Sequence, residues 1–583
     1  MTAQFKTLPT IFTEKNVANL FLEVMKYSAR LEYQPKAIAI PLNSAIAGDQ
    51  EAFRTLIGCG GGKSKIFVFA IVLAILSGKK KVVITAPGKP LLRQLEYDVI
   101  ECLALFAKAG YKVPSGISFF NVSSDKKYDN SLNPTVTLED TDLEPEHEDE
   151  DEDDDDEIAG KNKEMDNYAK SIRGIRDTKF AHHESVKKEL RNNDITIFFV
   201  CKPSFLNSFA GIVNSVSRDP EFKDRYVIDI TCHDEYHNFI SQARTDRTKK
   251  ILTSYQYNSP QNWFYSASKK YVKGFCWDHI TFGKLVVDVP SSELVKLGYL
   301  VKDIKIFYIT TGMIRGISHS IREYFKGIAK KTEPEKFYRE AAVILAVMEH
   351  QLGLKSIPKT LVFGSRIAFL KEMQNSADFV TRLEEIITQL KLYRMDGSTK
   401  PNDREKIFAQ LKKATYSMAT LLLQHSVCKE GIDAPNFNSA VICRGLSEIS
   451  LQQALGRIQR SYTDIENGVV KEVAYLYIFV KGDENKLGEL AEFIHYNYGE
   501  HRPEMQPMLD NDEGGNDEDD ENESTDVSNP GKRTIKLLKT NVDIEEFMKR
   551  KFCELFENDD RIKYDAEYKA MSIDDLFDAM PAI

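Results

Sequence analysis

Short apolar runs alternate with amphipathic stretches in two parts of the chain. The first part spans residues 30–305, and the second spans residues 335–490, where the runs are TLVFG, ATLLLQH, SAVICR and VAYLYIFV. Each of these runs reads as a buried strand. Because buried strands that alternate with helices form parallel sheets, the pattern predicts an α/β fold with two tandem parallel-sheet domains.

The remaining segments are predicted to lie outside these two domains. Residues 1–29 form an N-terminal lead-in of helical character, residues 306–334 form an inter-domain linker, and residues 491–583 form an acidic linker with a short helical tail. Within the first domain, a polar and acidic insert at about 124–170 has too little apolar surface to pack a core, so it is predicted to be disordered.

Two acidic runs dominate the charge of the chain. Residues 139–157 contain 15 acidic residues and residues 510–526 contain 10, with no Lys or Arg in either run. The net charge of −10 becomes +15 without these 25 residues, so the rest of the chain permits a polyanionic partner. The runs are either solvated linkers or mimics of nucleic acid that guard a basic groove. Together with the C-terminal tail, which either packs or binds a partner, they are candidate docking segments for another protein.

The sequence indicates no membrane segment and no cysteine-based metal site. The longest apolar run, Ile66 to Leu76, is shorter than the ~20 residues that cross a bilayer. The N-terminus, MTAQFKTLPT, lacks the apolar core of a signal peptide. The eight cysteines form no C-x-x-C pair, which argues against a zinc ribbon. We therefore expect a soluble intracellular protein.

A cluster of glycines stands directly before Lys63. Backbone N–H groups of such a loop wrap phosphate oxygens when a helix follows. Lys63 would then reach the β- and γ-phosphates of ATP, and the Ser64 hydroxyl would be a ligand of Mg²⁺. The alternative is a glycine-rich turn ahead of a buried helix. The glycines of the cluster are Gly58, Gly60, Gly61 and Gly62.

An acidic pair follows a predicted buried strand in RYVIDITCHDEYHNF (225–239). Asp234 would hold Mg²⁺, directly or through water, and Glu235 would polarise the attacking water. The alternative is a charged loop after a strand. A phosphate-binding loop needs an acidic partner of this kind on a neighbouring strand, which favours the functional interpretation.

The Gly-Lys-Ser loop followed by Asp-Glu-Tyr-His resembles superfamily 2 helicases of the DExH type, with His237 as the last residue of the second motif. The resemblance covers roughly residues 30–490. It implies two RecA-like domains with a nucleotide cleft between them, ATP hydrolysis assisted by Mg²⁺, and a nucleic-acid partner.

Further stretches of the first domain resemble helicase motifs in the expected order. EYQPKAI places a glutamine where the family offers one to adenine. VVITAPGKPLLRQ places three residues in a loop that contacts the nucleic-acid backbone, and FYSASKK places two serines in a motif that relays between the nucleotide site and the strand path. These residues are Gln34 for adenine, Thr85, Pro87 and Gly88 for the loop, and Ser266 and Ser268 for the relay.

The second domain resembles the family at motifs IV and V. KTLVFGSRIAFLKEM resembles motif IV and contains Gly364. SVCKEGIDAPNFNSAVI resembles motif V, where the resemblance implies a nucleic-acid or coupling role for Gly431 and a nucleotide contact for Asp433.

QQALGRIQR resembles motif VI and contains Gln453, Arg457 and Arg460. The two arginines are three residues apart, so we predict that they share one helix face. The resemblance implies that they reach the γ-phosphate as an arginine finger supplied within the chain.

The segment FGKLVVDVPSSELVKLGYLVKDIKI (282–306) resembles the inter-domain segment of restriction-type and fork-remodelling DNA helicases. This likeness, and the Asp-Glu-Tyr-His spelling instead of Asp-Glu-Ala-Asp, favour DNA over RNA. The predicted function is that of an ATP-dependent nucleic-acid helicase or translocase. The alternatives are an ATP-dependent RNA helicase and a non-catalytic scaffold with the helicase fold.

Overall fold

The computed structural model contains two compact units, which divide the chain between Leu294 and Val295. The residues that the structure describes are 5–27, 29–122, 183–222, 225–239, 245–267, 282–310, 313, 321, 335–396, 399, 401–413, 418–425, 436–444, 448–464, 468–480, 484–498, 505–508 and 541–557.

The first unit is built on one parallel sheet. Its strands are β1 (Glu51–Ile57), β2 (Lys81–Ala86), β3 (Ser118–Val122), β4 (Thr196–Cys201), β5 (Ile230–His233), β6 (Gln261–Ser266) and β7 (Lys284–Val289). These seven strands lie in the order β3-β4-β2-β5-β6-β1-β7, and all of their pairings are parallel. β2, β4 and β6 are buried along their whole length, as expected for a parallel sheet that is covered on both faces.

The helices of the first unit cover this sheet. The helix Lys63–Leu76 is buried at every position from Ile66 to Ile75, which explains why its sequence is apolar all round and not amphipathic. The predicted helical lead-in contains the helix Glu14–Met25, which Thr13 caps by accepting a hydrogen bond from the backbone of Asn16. The longer helices of this unit are Glu14–Met25, Gln34–Ala47, Lys63–Leu76, Lys89–Lys108, His183–Arg191 and Thr245–Gln256.

The second unit contains a second parallel sheet. Its strands are β8 (Asp303–Ile309), β9 (Lys359–Phe363), β10 (Leu390–Met395), β11 (Ala419–Gln424), β12 (Ser439–Ile442), β15 (Val473–Phe479) and β16 (Met505–Pro507), and β13 (Thr463–Asp464) with β14 (Val469–Val470) form a separate hairpin. The seven-stranded sheet has the order β10-β11-β9-β12-β15-β8-β16. The four apolar runs of residues 335–490 are β9, β11, β12 and β15, as predicted.

The helices of the second unit include one that follows the second acidic run. In the helix Asn541–Glu557, the side chains of Ile544, Phe547 and Met548 are buried in the hydrophobic core of this unit. The helices of eight or more residues here are Glu335–Gly353, Ile367–Asn375, Ala377–Ile386, Pro401–Lys413, Glu448–Ile458, Glu484–Tyr498 and Asn541–Glu557.

The division between the units differs from the predicted one. The structure divides the chain after Leu294, whereas the sequence placed the end of the first domain at residue 305 and a linker at 306–334. Residues 303–309 form β8, which pairs with β15 along its whole length, because the apolar half of DIKIFYI is buried in the second sheet. β16 and the helix Asn541–Glu557 likewise belong to the second unit and not to a separate tail.

The predicted fold class is confirmed: the chain contains two tandem RecA-like α/β units and a helix near its C-terminus. The acidic insert at 124–170 and the acidic run at 510–526 lie outside the described residues. Within the described part of the chain, no helix has the length and apolar character needed to cross a membrane.

Candidate active site

Four neighbouring strands of the first sheet lead into the predicted motifs. The glycine cluster (residues 58–62) follows β1, Pro87 follows β2, Asp234 follows β5, and Ser266 ends β6. β2, β5, β6 and β1 are consecutive in the sheet. Because parallel strands end at the same edge, the sheet brings these motifs together at its carboxyl edge, where α/β proteins bind ligands.

The glycine cluster forms a tight loop that ends at a helix N-terminus. Gly60 and Gly62 have φ angles of 85° and 78°, a left-handed conformation that glycine adopts without cost. A Cβ added at Gly61 would lie 2.2 Å from Cγ2 of Ile57, and the N–H of Gly58 donates to the carbonyl of Val289 at 2.8 Å. The loop is therefore a glycine-dependent turn, and it has the loop-to-helix geometry that binds phosphate.

Three side chains from the segment before the first sheet hold this loop by its carbonyl groups. Arg30 donates to the carbonyl of Gly60 at 2.8 Å, and the hydroxyl of Tyr33 donates to that of Gly61 at 2.7 Å. The buried amide of Gln34 accepts from the N–H of Arg30 at 2.9 Å and donates to the carbonyl of Gly61 at 3.4 Å. Sequence reasoning identified Gln34 alone, because the local pattern does not reveal which distant carbonyl a side chain contacts.

The ammonium group of Lys63 contacts both carboxylates of the acidic pair. Its Nζ lies 3.2 Å from Oδ1 of Asp234 and forms a hydrogen bond with Oε1 of Glu235. Glu235 has a φ of 48°, and a strained conformation of this kind in a non-glycine residue is concentrated at functional sites. The N–H of Glu235 donates to Oδ1 of Asp234 at 2.9 Å, which helps to hold the turn.

Burial and charge set the protonation of this cluster in opposite directions. Burial raises the pKa of Asp234, and the nearby Lys63 offsets only part of that rise. For Glu235, burial acts in the same direction but is outweighed by Lys63 and His237, so its pKa is lowered. Burial disfavours the charged form of Lys63, yet the two carboxylates outweigh it and raise its pKa. Lys63 and Glu235 are therefore both charged at neutral pH.

His237 and Ser266 connect the acidic pair to the end of β6. Both side chains are buried, and Nδ1 of His237 lies 2.8 Å from Oγ of Ser266 and 3.1 Å from Oε2 of Glu235. The Ser266 hydroxyl also lies 3.5 Å from Oε2 of Glu235. The carboxylate of Glu235 is thus held at one oxygen by Lys63 and at the other by His237 and Ser266.

Thr85 lies in a different position from the predicted one. It belongs to β2 and not to the following loop, because β2 stays paired with β4 as far as Ala86. Its buried hydroxyl lies 2.8 Å from Nδ1 of His233, and its carbonyl accepts from the N–H of Asp234 at 2.8 Å. Pro87 and Gly88 follow the strand and precede the helix Lys89–Lys108, as predicted for a loop.

The residues present fit a magnesium ion with a bound nucleotide. Asp234 and Ser64 offer the oxygen ligands that Mg²⁺ requires. The cluster also has two carboxylates against the single ammonium of Lys63, so its charge is incompletely balanced. This excess of negative charge in a largely buried place favours a cation.

In the second unit, Gly364 lies at the end of β9 beside two residues that the sequence analysis missed. Nδ1 of His425 donates to the carbonyl of Gly364 at 2.9 Å, and the guanidinium of Arg444 lies 3.0 Å from Nε2 of the same ring. A Cβ added at Gly364 would lie 2.5 Å from Cδ2 of Leu370, so glycine is needed here for packing. His425 and Arg444 follow buried strands, which was the available signal.

The prediction that Arg457 and Arg460 share one helix face is wrong. The helix Glu448–Ile458 ends before Arg460, which forms an antiparallel bridge with Leu300. The N–H of Val301 donates to the carbonyl of Gln459 at 2.8 Å, so the chain leaves the helix to pair with this earlier segment.

Several predicted residues fall outside the described part of the molecule. Gln453 lies in the helix Glu448–Ile458, but its side chain is not among the described ones. The other residues whose positions the structure does not describe are Ser268, Gly431 and Asp433.

One sequence family matches part of the chain. Residues 343–462 match the helicase conserved C-terminal domain, a region that includes motifs IV, V and VI as assigned from the sequence. No curated protein matches the chain in sequence.

Solved structures show a similar fold. The ATP-dependent Type ISP restriction-modification enzyme LlaBIII bound to DNA has 13% identity and a TM-score of 0.51, covering 78% of this chain and 28% of that chain. Helicase Lhr of Mycobacterium smegmatis bound to ssDNA and AMP-PNP has 13% identity and a TM-score of 0.43, covering 79% of this chain and 47% of that chain. Dbp5 of S. cerevisiae bound to RNA and ADP BeF3 has 13% identity and a TM-score of 0.46, covering 86% of this chain and 97% of that chain. The present chain thus spans less than half of the first two proteins, and at these identities the similarity concerns the fold alone.

Proposed function

We propose that this chain, which carries the helicase conserved C-terminal domain and the fold of superfamily 2 helicases, is an ATP-dependent helicase or translocase stimulated by nucleic acid. The observation that carries the proposal is the contact of Lys63 with both Asp234 and Glu235 beside a glycine-dependent loop. A buried lysine, an acidic pair and a phosphate-binding loop are the parts that hydrolysis of a nucleoside triphosphate requires.

The proposed mechanism starts with an exchange of partners at Lys63. The N–H groups of the glycine loop and the Lys63 ammonium bind the phosphates of ATP, so Lys63 moves away from Glu235. The freed carboxylate of Glu235 accepts a proton from the attacking water, while His237 and Ser266 keep its Oε2 in place. A Mg²⁺ ion held by Asp234 and Ser64 would neutralise charge on the phosphates.

We propose further nucleotide contacts from the remaining motif residues. Gln34 and Asp433 recognise the nucleotide, and Gln453, Arg457 and Arg460 act on the transferring phosphoryl group. Of the two arginines, Arg460 is the more accessible, because it follows the helix and is half-buried whereas Arg457 is buried. Arginine stabilises the charge that spreads over the phosphoryl oxygens in the transition state.

We propose DNA as the preferred nucleic acid. The support is the segment 282–306, with its LGYLV sequence, and the Asp-Glu-Tyr-His motif. Pro87 and Gly88 after β2, together with Gly364 and Gly431, would contact backbone phosphates largely without regard to base sequence. A protein partner, if one is needed, would dock on the acidic segments.

An ATPase assay across nucleic acids tests this function. Turnover is measured without nucleic acid and with single-stranded, duplex and forked DNA and the same RNA forms, for the wild-type chain and for Glu235→Gln. Stimulation by DNA, lost in the variant, supports the proposal. Stimulation by RNA alone means that the chain is an RNA helicase, and absence of hydrolysis with every polymer means that it is a scaffold.

A further inference from the structure

A histidine occupies the last position of β5, directly before the acidic pair. His233 is fully buried, and its ring stacks on that of Phe264 at 4.6 Å between centroids. Phe205 and Phe239 meet the same ring edge-on at 5.4 and 5.2 Å. An apolar side chain would fill such an aromatic surrounding without needing polar partners, so the imidazole is notable for the hydrogen bonds that it makes there.

The hydrogen bonds of His233 assign its tautomer. Nδ2 of Asn262 donates to the carbonyl of Ser259 at 2.7 Å, which turns Oδ1 of Asn262 toward Nε2 of His233 at 3.5 Å. Because Oδ1 only accepts, Nε2 carries the proton. Nδ1 therefore accepts, and the hydroxyl of Thr85 donates to it at 2.8 Å. The result is a directed chain of hydrogen bonds from Thr85 through His233 and Asn262 to Ser259.

This chain of hydrogen bonds crosses three adjacent strands. Thr85 in β2 is paired in register with His233 in β5, and Asn262 lies in β6. The backbone carbonyl of Thr85 also accepts from the N–H of Asp234 at 2.8 Å. Thr85 thus contacts two consecutive residues at the start of the acidic motif, one with its side chain and one with its backbone. Two residues later, Pro87 begins the loop assigned above to nucleic-acid binding.

We propose that His233 is a positioning residue that ties the end of β2 to Asp234 and Glu235, so that nucleic acid held by the Pro87–Gly88 loop accelerates ATP hydrolysis through this tie. The inference rests on the proposed function. A displacement of the end of β2 moves Asp234 through the Thr85 carbonyl, and the His233 ring keeps the two strands in step.

The variants His233→Leu, Thr85→Val and Thr85→Ser test the tie. Thr85→Val keeps the shape of the side chain but removes the donor to His233, and Thr85→Ser restores a hydroxyl. The matched control is Thr231→Val, because Thr231 is equally buried in β5 and its hydroxyl contacts Tyr255 and Ser259, both at 2.8 Å. This control has a similar loss of buried hydrogen bonds but leaves the His233–Thr85 contact unchanged.

The measurements are the DNA-stimulated kcat, the KM for ATP and the melting temperature of each full-length variant. We expect His233→Leu and Thr85→Val to lower the stimulated kcat about tenfold, a factor that corresponds to ~1.4 kcal/mol, with KM changed less than about twofold. Thr85→Ser should regain most of the rate. Thr231→Val should lower the melting temperature and keep the stimulated kcat within about twofold of wild type.

Two kinds of failure are distinguishable. If the wild-type chain is stimulated and Thr85→Val is stimulated equally, the tie is rejected while the proposed function stands. Equal loss of rate in Thr85→Val and Thr231→Val also rejects the tie, because the effect is then one of stability. If the wild-type chain hydrolyses no ATP with any nucleic acid, both proposals are rejected. Should His233→Leu fail to fold, the two Thr85 variants decide the matter.

Discussion

The ammonium nitrogen of Lys63 lies 3.2 Å from Oδ1 of Asp234, although the two residues follow strands β1 and β5, which β6 separates in the sheet. Lys63 also bonds to Glu235, which is 172 residues away in the chain. Two carboxylates therefore share one largely buried cation, and the arrangement leaves negative charge to be balanced. A nucleotide with its metal ion would change the partner of each member of this cluster, which makes it the centre of the proposed reaction.

Replacement of Lys63 should abolish turnover. In Lys63→Ala, ATP loses the cation that binds its phosphates, so we expect kcat/KM to fall by ~10²-fold or more in a steady-state ATPase assay. The control is Lys65→Ala, because Lys65 is exposed and its ammonium lies over the ring of Tyr27 at 5.4 Å. Near-normal turnover in Lys63→Ala would refute the assignment of the site.

The variant Glu235→Gln separates binding from hydrolysis. The amide keeps the size of the side chain but accepts no proton from water, so we expect a loss of ~10²–10⁴-fold in turnover with ATP binding retained. Fluorescent ATP analogues measure binding, and phosphate release measures turnover. The control is Glu51→Gln, which removes a carboxylate whose partner is Lys284, at 2.6 Å, away from the acidic pair. If Glu235→Gln turns over at the control rate, Glu235 is not the base.

The variant Arg460→Ala should bind nucleotide and fail to hydrolyse it. Arginine acts mainly on charge that develops in the transition state, so a loss of ~10³-fold in kcat is expected without a matching change in nucleotide affinity. Arg382→Ala serves as the control, because Arg382 forms an exposed ion pair with Glu385 in the same unit. Persistent turnover in Arg460→Ala would exclude the arginine-finger role.

The variant Gly62→Ala should damage the phosphate loop beyond its cost in stability. Gly62 has a φ of 78°, and its added Cβ would lie 2.6 Å from Nε2 of Gln34. Gly78 also has a positive φ, 99°, but nothing lies within 4 Å of its added Cβ. Both alanine variants should lose ~1–2 kcal/mol of stability through backbone strain. Only Gly62→Ala should lower kcat/KM for ATP; equal activity in the two variants would contradict the role of the loop.

The stability of the second unit should depend on pH through Lys471. Burial lowers the pKa of Lys471 to about 7, and Arg460 acts in the same direction. Between pH 7 and about 10 the unfolded chain binds a proton that the folded chain does not, so this group makes the unfolding free energy rise with pH in that window. Below pH 7 both states bind the proton, and the penalty stays at its full size.

Comparison of wild type with Lys471→Met isolates this contribution. Urea unfolding at pH 7 and at pH 9.5 should show the stability of wild type rising relative to the variant as the pH increases. Lys391→Met, at an exposed position in β10, is the control, and its difference from wild type should stay constant. A pH-independent difference for Lys471→Met would show that Lys471 is charged in the folded chain throughout this range.

Local pattern was sufficient for the elements and for the order of the motifs. The apolar runs predicted β9, β11, β12 and β15, and the glycine cluster predicted the turn before the helix Lys63–Leu76. A run of buried side chains and a requirement for positive φ are properties of neighbouring residues, so they are legible in the sequence. The boundary near residue 305 was misplaced because only pairing with β15 decides that β8 belongs to the second sheet.

Contacts between distant residues were decided by the tertiary structure. The sequence determined that Lys63, Asp234 and Glu235 belong to one kind of site, but the register of parallel strands determined that Lys63 contacts both carboxylates. The hold of Arg30 and Tyr33 on the glycine loop, the burial of Thr85 against His233, and the departure of Arg460 from its helix all depend on chain segments that meet only after folding. Hydrogen bonds are directional and short, so the residue types that make them are visible in the sequence, while their partners are chosen by packing.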